Sequence, residues 1–214
     1  MNKVITMALA KGRLAEETIK ILEKCDVDCS SISNGGRKLV LTDSTGMYNF
    51  ILVKPSDVPT YVERGVADIG VVGKDTLMES GLSVYEMLDL GFAKCKLSIA
   101  GFGENKKRPI TLNNLRVATK YPRIAKSFYG QKGVPIDIIK LNGSVELGPL
   151  VGLSDVILDI VESGRTLKDN GLCVLEDICN VSARLIVNRV SLKTKGDVIK
   201  PLIDRMDEVL SEGK

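Results

Sequence analysis

The stretch VILDIVESGRTLKDNGL, residues 156–172, decides the fold class because it joins an apolar strand to a helix through one tight turn. Residues 156–161 are almost continuously apolar, which is typical of a strand covered on both faces. Residues 163–165 form the predicted turn, and a short helix is expected to begin near Thr166. A buried strand that passes directly into a helix indicates a parallel βα unit, so this stretch favours the α/β class.

The same alternation of apolar strands and helices continues along the chain. Further apolar runs predict strands at residues 4–9, 38–41, 50–53, 68–72, 96–100, 115–119, 136–141 and 185–190. Continuous rather than alternating apolar runs favour mostly parallel sheets. The pattern restarts near Leu90, which predicts two domains: domain I covers residues 1–90 plus about 180–214, and domain II covers about 91–179 and carries the turn at Ser163.

Charge and composition narrow the class of protein. The 214 residues include 30 basic and 27 acidic side chains, a net charge of +3 that is too balanced to indicate a nucleic-acid or membrane partner. No apolar run reaches the roughly 18 residues that a membrane span needs. Lys11 and Arg13 stand where a signal peptide would be apolar. We therefore expect a cytoplasmic protein that binds neither nucleic acid nor membrane.

The chain contains no histidine, and this limits its chemistry. Catalytic triads based on histidine are excluded, as is the commonest general base. The five cysteines form no C-x-x-C pair and have no histidine to complete a zinc site, so buried reduced thiols are expected. Any reaction must therefore use carboxylates, lysine or arginine, hydroxyls, backbone amides or a metal.

The turn after the strand at residues 156–161 has the features of a phosphate-binding loop. Backbone amides at the start of a helix carry partial positive charge and point at whatever lies above them. Ser163 and Thr166 add hydroxyls, Gly164 lets the backbone approach a ligand closely, and Arg165 can donate two hydrogen bonds to one anion. These residues together predict a monophosphate site.

Two carboxylates precede this turn on the same strand. Asp155, Ile157 and Asp159 share one face, since side chains alternate along a strand. Carboxylates behind an anion site suit the hydroxyls of a sugar whose phosphate the turn holds, or a metal bound with it. An ordinary interpretation stays open, because Ser-Gly-x-Thr turns often only cap helices and strand-end aspartates often serve only turns.

A second candidate site follows the first predicted strand. Lys11 and Arg13 flank Gly12 at a βα turn, which is where open α/β sheets bind ligands, although these residues alone favour an ordinary turn with two solvated cations. Other nucleotide motifs fail: Asp75 follows Gly73 and Lys74 where a Walker loop needs Ser or Thr, and no G-x-G-x-x-G occurs.

With both turns in view, the chain resembles the short form of the ATP phosphoribosyltransferase family. The family signature matches at Glu146, Gly152, Ser154, Ile157, Asp159, Ser163, Gly164, Thr166 and Leu167. Other segments that look like the family are KGRL at 11–14, GVADIGVVGKD at 65–75, ATKYP at 118–122 and LNGSVE at 141–146. The resemblance implies a two-lobed, periplasmic-binding-protein-like fold of type II.

The resemblance also implies a reaction and its site residues. A ring nitrogen of the adenine of ATP attacks the anomeric carbon of phosphoribosyl pyrophosphate, which gives phosphoribosyl-ATP in the first step of histidine biosynthesis. The implied phosphoribosyl pyrophosphate-binding residues are Glu146, Asp155, Asp159, Ser163, Gly164, Arg165 and Thr166. The implied ATP- or pyrophosphate-binding residues are Lys11, Gly12, Arg13, Arg37 and Tyr121, although Tyr121 equally suits a loop aromatic that closes the core.

Cofactor and partners follow from the same resemblance. Mg²⁺ is expected, bound through the substrate pyrophosphate or through Asp155 or Asp159, and no covalent nucleophile is needed. The short form implies a homodimer within a hetero-oligomer, together with a regulatory subunit similar to histidyl-tRNA synthetase.

Two alternatives remain open. A solute-binding protein would share the two-lobed architecture but usually carries an export signal. A phosphoribosyltransferase for another acceptor would usually have paired adjacent acids, whereas Asp159 is followed by Ile160 here.

Overall fold

A computed structural model describes residues 4–34, 38–104 and 114–212, and these residues fall into two compact units. Unit 1 contains residues Met1–Ala93 and Ser182–Lys214, and unit 2 contains Lys94–Val181. The chain therefore leaves unit 1 once, forms unit 2, and returns to unit 1 for one strand and two helices. Within the described residues, no helix has the length and apolarity needed to cross a bilayer.

Strands and helices alternate through most of the described chain. The strands are β1 Ile5–Ala10, β2 Val40–Thr42, β3 Tyr48–Val53, β4 Ile69–Gly73, β5 Tyr85–Asp89, β6 Cys95–Gly101, β7 Leu115–Thr119, β8 Ile136–Lys140, β9 Val156–Val161, β10 Cys173–Val181 and β11 Ala183–Val187. The helices are α1 Arg13–Lys24, α2 Ser30–Asn34, α3 Val58–Glu63, α4 Lys74–Ser80, α5 Pro122–Gln131, α6 Leu147–Leu150, α7 Arg165–Asp169, α8 Arg189–Thr194 and α9 Gly196–Glu212.

Each unit contains one sheet, and both sheets are mixed. In unit 1 the strand order is β2-β3-β1-β4-β11-β5, and in unit 2 it is β10-β6-β9-β7-β8. β1 is parallel to β3 and β4, and β7 is parallel to β8 and β9. The pairs β2–β3, β4–β11, β5–β11, β6–β9 and β6–β10 are antiparallel. The expected α/β class is confirmed, but the mostly parallel pairing is corrected to mixed.

In each sheet the antiparallel pairs lie beside a group of three parallel strands, which are β3-β1-β4 in unit 1 and β9-β7-β8 in unit 2. A parallel pair needs a crossover helix, and α1 and α5 supply two such crossovers. β10 and β11 instead follow each other with only Ser182 between them, and they pair in different sheets. Mixed sheets of this kind are common when a strand returns to a doubly covered sheet from another direction.

Amphipathic helices form the core of unit 1. The buried positions of α1 and α9 recur at helical spacing, and they are Ala15, Thr18, Ile21, Leu22, Ile199, Leu202, Ile203 and Met206. The apolar members pack into one cluster with the central-strand residues Met7, Leu9 and Phe50. The spacing of apolar residues in the sequence thus places both helices on the same side of this sheet.

A smaller cluster in unit 2 positions the predicted phosphate turn. Leu167 of α7 packs with Ala100 of β6, Ala118 of β7 and Ile157 of β9. Leu172, just after α7, belongs to the same cluster. The short helix is therefore anchored over the sheet by apolar contacts, and the turn before it lies at the carboxyl end of β9.

The buried thiol of Cys29 makes stability depend on pH. Cys29 is 2% exposed, and burial raises the pKa of its thiol to about 12. In the unfolded chain the thiol has its ordinary pKa of about 8.5. Above that pH the unfolded chain loses a proton that the folded chain keeps. The thiol therefore does not lower the free energy of unfolding below pH of about 8.5, and the free energy of unfolding is expected to fall as the pH rises further.

Urea unfolding at a series of alkaline pH values measures this dependence. In the Cys29→Ala variant the free energy of unfolding should fall less steeply with pH, because the variant has no thiol to ionise at position 29 in the unfolded state. Parallel declines in both proteins would contradict a contribution from Cys29.

Candidate functional site

The turn between β9 and α7 has the backbone geometry that a phosphate-binding loop requires. Gly164 stands immediately before α7 with φ of 71°, in the left-handed region that favours glycine. A Cβ at this position would meet only Val161, at 3.8 Å, so backbone conformation rather than space calls for glycine. The amide of Arg165 donates to the hydroxyl oxygen of Ser163 at 3.4 Å, which closes the turn.

Two amides of this turn are available to a ligand. Among the described residues, no acceptor is found for the backbone N–H groups of Gly164 and Thr166. Backbone amides are strong donors that rarely stay unsatisfied, so they take up either water or an anion. The side chains of Ser163 and Thr166 are exposed next to them. Amides and hydroxyls on so few consecutive residues match the donor set of a monophosphate site.

A cavity of about 290 Å³ opens at this turn, within unit 2. Its lining includes residues 163–166 together with Glu146, Asp159 and Glu162. Asp159 is half-buried, and one of its carboxylate oxygens accepts the backbone N–H of Ile160 at 2.9 Å. The cavity therefore combines amide and hydroxyl donors, which suit a phosphate, with carboxylates, which suit the hydroxyl groups of a sugar.

Asp155 lies elsewhere, and the structure does not bring it together with the turn. It precedes β9, whereas the turn follows β9, and a strand of six residues spans roughly 20 Å. Its carboxylate accepts from Nη2 of Arg116 at 3.0 Å and from Nε at 3.2 Å. The backbone amide of Arg116 donates to it as well, at 3.0 Å. The period of two correctly indicates a shared face, but it says nothing about which end of the strand carries the site.

The KGRL turn lies at the carboxyl end of β1, in unit 1. Gly12 has φ of 91° and ψ of −151°, a backbone conformation that is essentially restricted to glycine. A Cβ there would meet no atom within 4 Å, so the turn needs glycine for its backbone. Lys11 and Arg13 are exposed on either side. The structure thus places two cations and a glycine at the ligand-binding end of a parallel strand.

The other two residues proposed for ATP differ in their placement. Tyr121 is 3% exposed and stands before Pro122, the first residue of α5. Its backbone amide donates to the hydroxyl of Thr119 at 2.8 Å. This burial favours the alternative in which Tyr121 closes the core. Arg37 lies outside the described residues.

A dedicated metal site is absent from the part of the chain that the structure describes. No group of three or more aspartate, glutamate or cysteine side chains is positioned there to hold a metal ion. The cavity does contain separate carboxylates, and Mg²⁺ usually binds through one or two carboxylates plus substrate phosphates rather than in an all-protein cage. The residues therefore fit an ion that arrives with a pyrophosphate.

Sequence reasoning missed Ser98 of β6, which lines the cavity, and the ion pair of Asp177 and Lys96 next to it. Ser98 is fully buried and donates its hydroxyl proton to Asp177 of β10 at 2.8 Å. Lys96 donates to the other oxygen of Asp177 at 2.6 Å. Both hydrogen bonds lower the pKa of Asp177, that of Lys96 the more strongly. These residues are distant in sequence and meet only through strand pairing, so no local motif could have indicated them.

Comparison with known proteins decides the family. A family model described as HisG, ATP phosphoribosyltransferase, matches residues 54–208. The ATP phosphoribosyltransferase of Ruminiclostridium cellulolyticum is 52% identical over 210 residues, which cover 98% of each chain. That of Bacillus cereus is 50% identical over 210 residues, covering 98% of this chain and 99% of the relative.

The chain belongs to the ATP phosphoribosyltransferase family. The family resemblance inferred from the signature is therefore confirmed, and with it a pentosyltransferase activity in the first step of histidine biosynthesis.

Solved structures agree with this family and with the predicted fold. A chain of the ATP phosphoribosyl transferase (HisG:HisZ) complex from Thermotoga maritima superimposes with a TM-score of 0.84 and 35% identity, over 99% of this chain and 100% of that one. The periplasmic aliphatic sulphonate binding protein SsuA from Escherichia coli has a TM-score of 0.59 at 12% identity, which shows a shared fold alone. The periplasmic-binding-protein-like architecture expected for the family is confirmed.

Proposed function

We propose that this chain condenses ATP with 5-phosphoribosyl 1-pyrophosphate, and that the turn at residues 163–166 holds the ribose 5′-phosphate. The observation that carries the proposal is that the backbone amides of Gly164 and Thr166 have no acceptor among the described residues, and that both residues line a cavity that contains carboxylates. Ser163 and Thr166 add hydroxyl donors. Arg165 is 86% exposed along its side chain and is free to swing toward the phosphate from its contact with Asp169 at 3.7 Å.

Asp159 and Glu146 would face the ribose. Both line the cavity next to the phosphate turn, and a carboxylate is a natural acceptor for ribose hydroxyls. In the reaction the C–O bond to pyrophosphate breaks and the leaving group takes the electron pair, while a C–N bond to the adenine ring nitrogen forms with inversion. Positive charge develops on the ribose as this happens, so the negative charge of Asp159 stabilises the transition state.

No residue needs to act as a nucleophile in this scheme. Pyrophosphate is already a good leaving group, and the protein contributes mainly position and electrostatics. Mg²⁺ bound to the pyrophosphate would neutralise its charge and assist its departure. Asp159 and Glu146 are the cavity carboxylates that would reach the water shell of such an ion, whereas Asp155 is engaged with Arg116.

The turn at Lys11, Gly12 and Arg13 is proposed to bind phosphates of ATP or pyrophosphate. Two exposed cations at the carboxyl end of β1 supply the charge, and the glycine backbone allows close approach. Arg37 and Tyr121 stay as predictions from the family pattern. A cytoplasmic location also stays a prediction.

A regulatory partner is proposed for this chain. The matched Thermotoga maritima chain, which this protein covers completely, was solved as a HisG:HisZ complex. By that relationship we propose a subunit similar to histidyl-tRNA synthetase as the partner, around a homodimer of this chain.

An assay of phosphoribosyl-ATP formation tests the function. The purified chain is incubated with ATP, phosphoribosyl pyrophosphate, Mg²⁺ and a pyrophosphatase, with and without the regulatory subunit, and the ultraviolet absorbance of phosphoribosyl-ATP is followed. We expect product that depends on both substrates and increases when the partner is present. Absence of product in both conditions, with the partner shown to bind, would contradict the proposal.

A further inference from the structure

A row of polar side chains crosses the sheet of unit 2 at the level of the cavity. Asp177 of β10 pairs with Ser98 of β6, and Ser98 pairs with Asp159 of β9. Directly paired residues of neighbouring strands point to the same side of a sheet. The carboxylate proposed to face the ribose therefore has Ser98 beside it on the β6 side, and Asp177 beyond that.

The register on the other side of Asp159 leads to Lys120. Ala118 pairs with Ile157 and Thr119 pairs with Leu158, so the residue after Thr119 lies level with Asp159 on the adjacent parallel strand. Ala118 and Ile157 belong to one apolar cluster on the cavity side of the sheet. Side chains two residues apart on a strand point to the same face. Lys120 therefore points to the same face as Ala118, and Asp159 points to the same face as Ile157.

Hydrogen bonds fix the backbone around Lys120. The hydroxyl of Thr119 donates to the carbonyl of Leu158 at 2.7 Å and accepts the amide of Tyr121 at 2.8 Å. Thr119 and Tyr121 are 0% and 3% exposed, whereas Lys120 between them is exposed. The lysine side chain therefore projects from the carboxyl edge of the sheet, and its neighbours stay in the core.

The charges on the two sides of Asp159 differ. On the β6 side, Asp177 already binds Lys96 at 2.6 Å, so that carboxylate and that ammonium satisfy each other. On the β7 side, no hydrogen bond or ion pair of the Lys120 ammonium is found among the described residues. Adjacent strands are roughly 4.8 Å apart, so the long side chain of Lys120 reaches a ligand bound over Asp159.

We propose that Lys120 is a further substrate-binding residue, which contacts the pyrophosphate group of phosphoribosyl pyrophosphate when the turn at Ser163 holds the 5′-phosphate. This inference rests on the proposed function. The phosphate turn holds the 5′-phosphate of the substrate, and Asp159 faces the hydroxyls of its ribose. The strongly anionic pyrophosphate then lies on the β7 side, where Lys120 offers a cation that has no partner among the described residues. Lys120 binds it as a point charge and assists its departure.

The test compares three variants of the full chain. Lys120→Met removes the charge and keeps the length of the side chain, and Lys120→Arg keeps the charge. The matched control is Lys140→Met, because Lys140 ends β8, is exposed, and pairs with Thr119, which places it on the opposite face of the same sheet.

Calorimetric titrations with inorganic pyrophosphate and with ribose 5-phosphate give a readout that does not depend on turnover. We expect Lys120→Met to weaken the binding of pyrophosphate by about tenfold or more, as the loss of a charge-assisted hydrogen bond does, with the affinity for ribose 5-phosphate unchanged. Lys120→Arg should retain most of the affinity, and Lys140→Met should match the wild type. In the assay, the KM for phosphoribosyl pyrophosphate should rise in Lys120→Met while the KM for ATP stays constant.

Equal affinities of wild type and Lys120→Met for pyrophosphate would overturn the inference, as would an equal loss for ribose 5-phosphate. Failure of the proposed function looks different, because the wild type itself would then form no phosphoribosyl-ATP.

Discussion

The Asp159→Asn variant is expected to lose about a hundredfold or more in kcat, a loss typical for removal of one preorganised electrostatic contact in a transition state. Asparagine keeps the shape of the side chain and can still hydrogen-bond a ribose hydroxyl, but it has no negative charge to oppose the developing positive charge on the ribose. The phosphate turn is unaffected, so the affinity for ribose 5-phosphate should change far less than kcat does. Steady-state kinetics and calorimetry on the same preparation separate these quantities.

Asp155→Asn provides a matched control on the same strand. Both substitutions remove one negative charge, and both side chains lie on the same face of the strand. Asp155, however, binds Arg116 at the opposite end of β9. We expect Asp155→Asn to lower the melting temperature and to leave kcat and the KM for phosphoribosyl pyrophosphate close to those of the wild type. Similar kinetic losses in the two variants would contradict the assignment of the site to the carboxyl end of β9.

The sequence is most informative where a strand is buried on both faces. The predicted bounds of β7 and β9, residues 115–119 and 156–161, are those of the structure. Both strands lie inside the sheet of unit 2, with a neighbour on each side, and each contains three consecutive buried residues, so the apolar run has clear limits. The turn at Ser163 could be predicted for a related reason, since glycine and hydroxyl residues directly after such a run form a local signal.

Edge strands leave a weaker signal, and two of them were missed. β5 and β10 each lie at the edge of a sheet. β5 has exposed residues among partly buried ones, and β10 carries Glu176 and Asp177 in its middle together with irregular pairing to β6. Charged side chains and bulges at an edge oppose pairing between molecules. They also remove the periodicity from which a strand is recognised in sequence.

Contacts between distant residues explain the remaining differences. The pairing of Asp155 with Arg116 joins positions that are 39 residues apart, and the bond between Ser98 and Asp177 joins positions 79 apart. Spacing along one strand shows which residues share a face, but the order of strands in the sheet decides which neighbour each one meets. The mixed pairing of both sheets depends on the same strand order. Continuous apolar runs favoured parallel pairing, but they carry no information about that order.

The Asp68→Ala variant is expected to lose about 3 kcal/mol in the free energy of unfolding, because it removes a buried carboxylate that accepts three hydrogen bonds and leaves buried donors unsatisfied. The Asp68 side chain is 5% exposed and accepts from the ammonium of Lys195 at 2.7 Å. It also accepts from the hydroxyl of Ser191 at 2.6 Å and from the backbone amide of Thr6 at 2.9 Å. These donors belong to β1, to α8 and to the residue before α9, so one carboxylate connects the sheet to both C-terminal helices.

Urea unfolding of Asp68→Ala and Glu17→Ala compares a buried carboxylate with an exposed one. Glu17 binds Lys20 at 2.8 Å, nearly the distance in the Asp68 pair, but its side chain is 38% exposed and that of Lys20 is 64% exposed. Water solvates either group when its partner is removed, so Glu17→Ala should cost far less. A similar loss in both variants would show that burial does not set the contribution of Asp68. The predicted difference follows from burial, because Ser191 is only 6% exposed and water does not readily replace the carboxylate that its hydroxyl loses in Asp68→Ala.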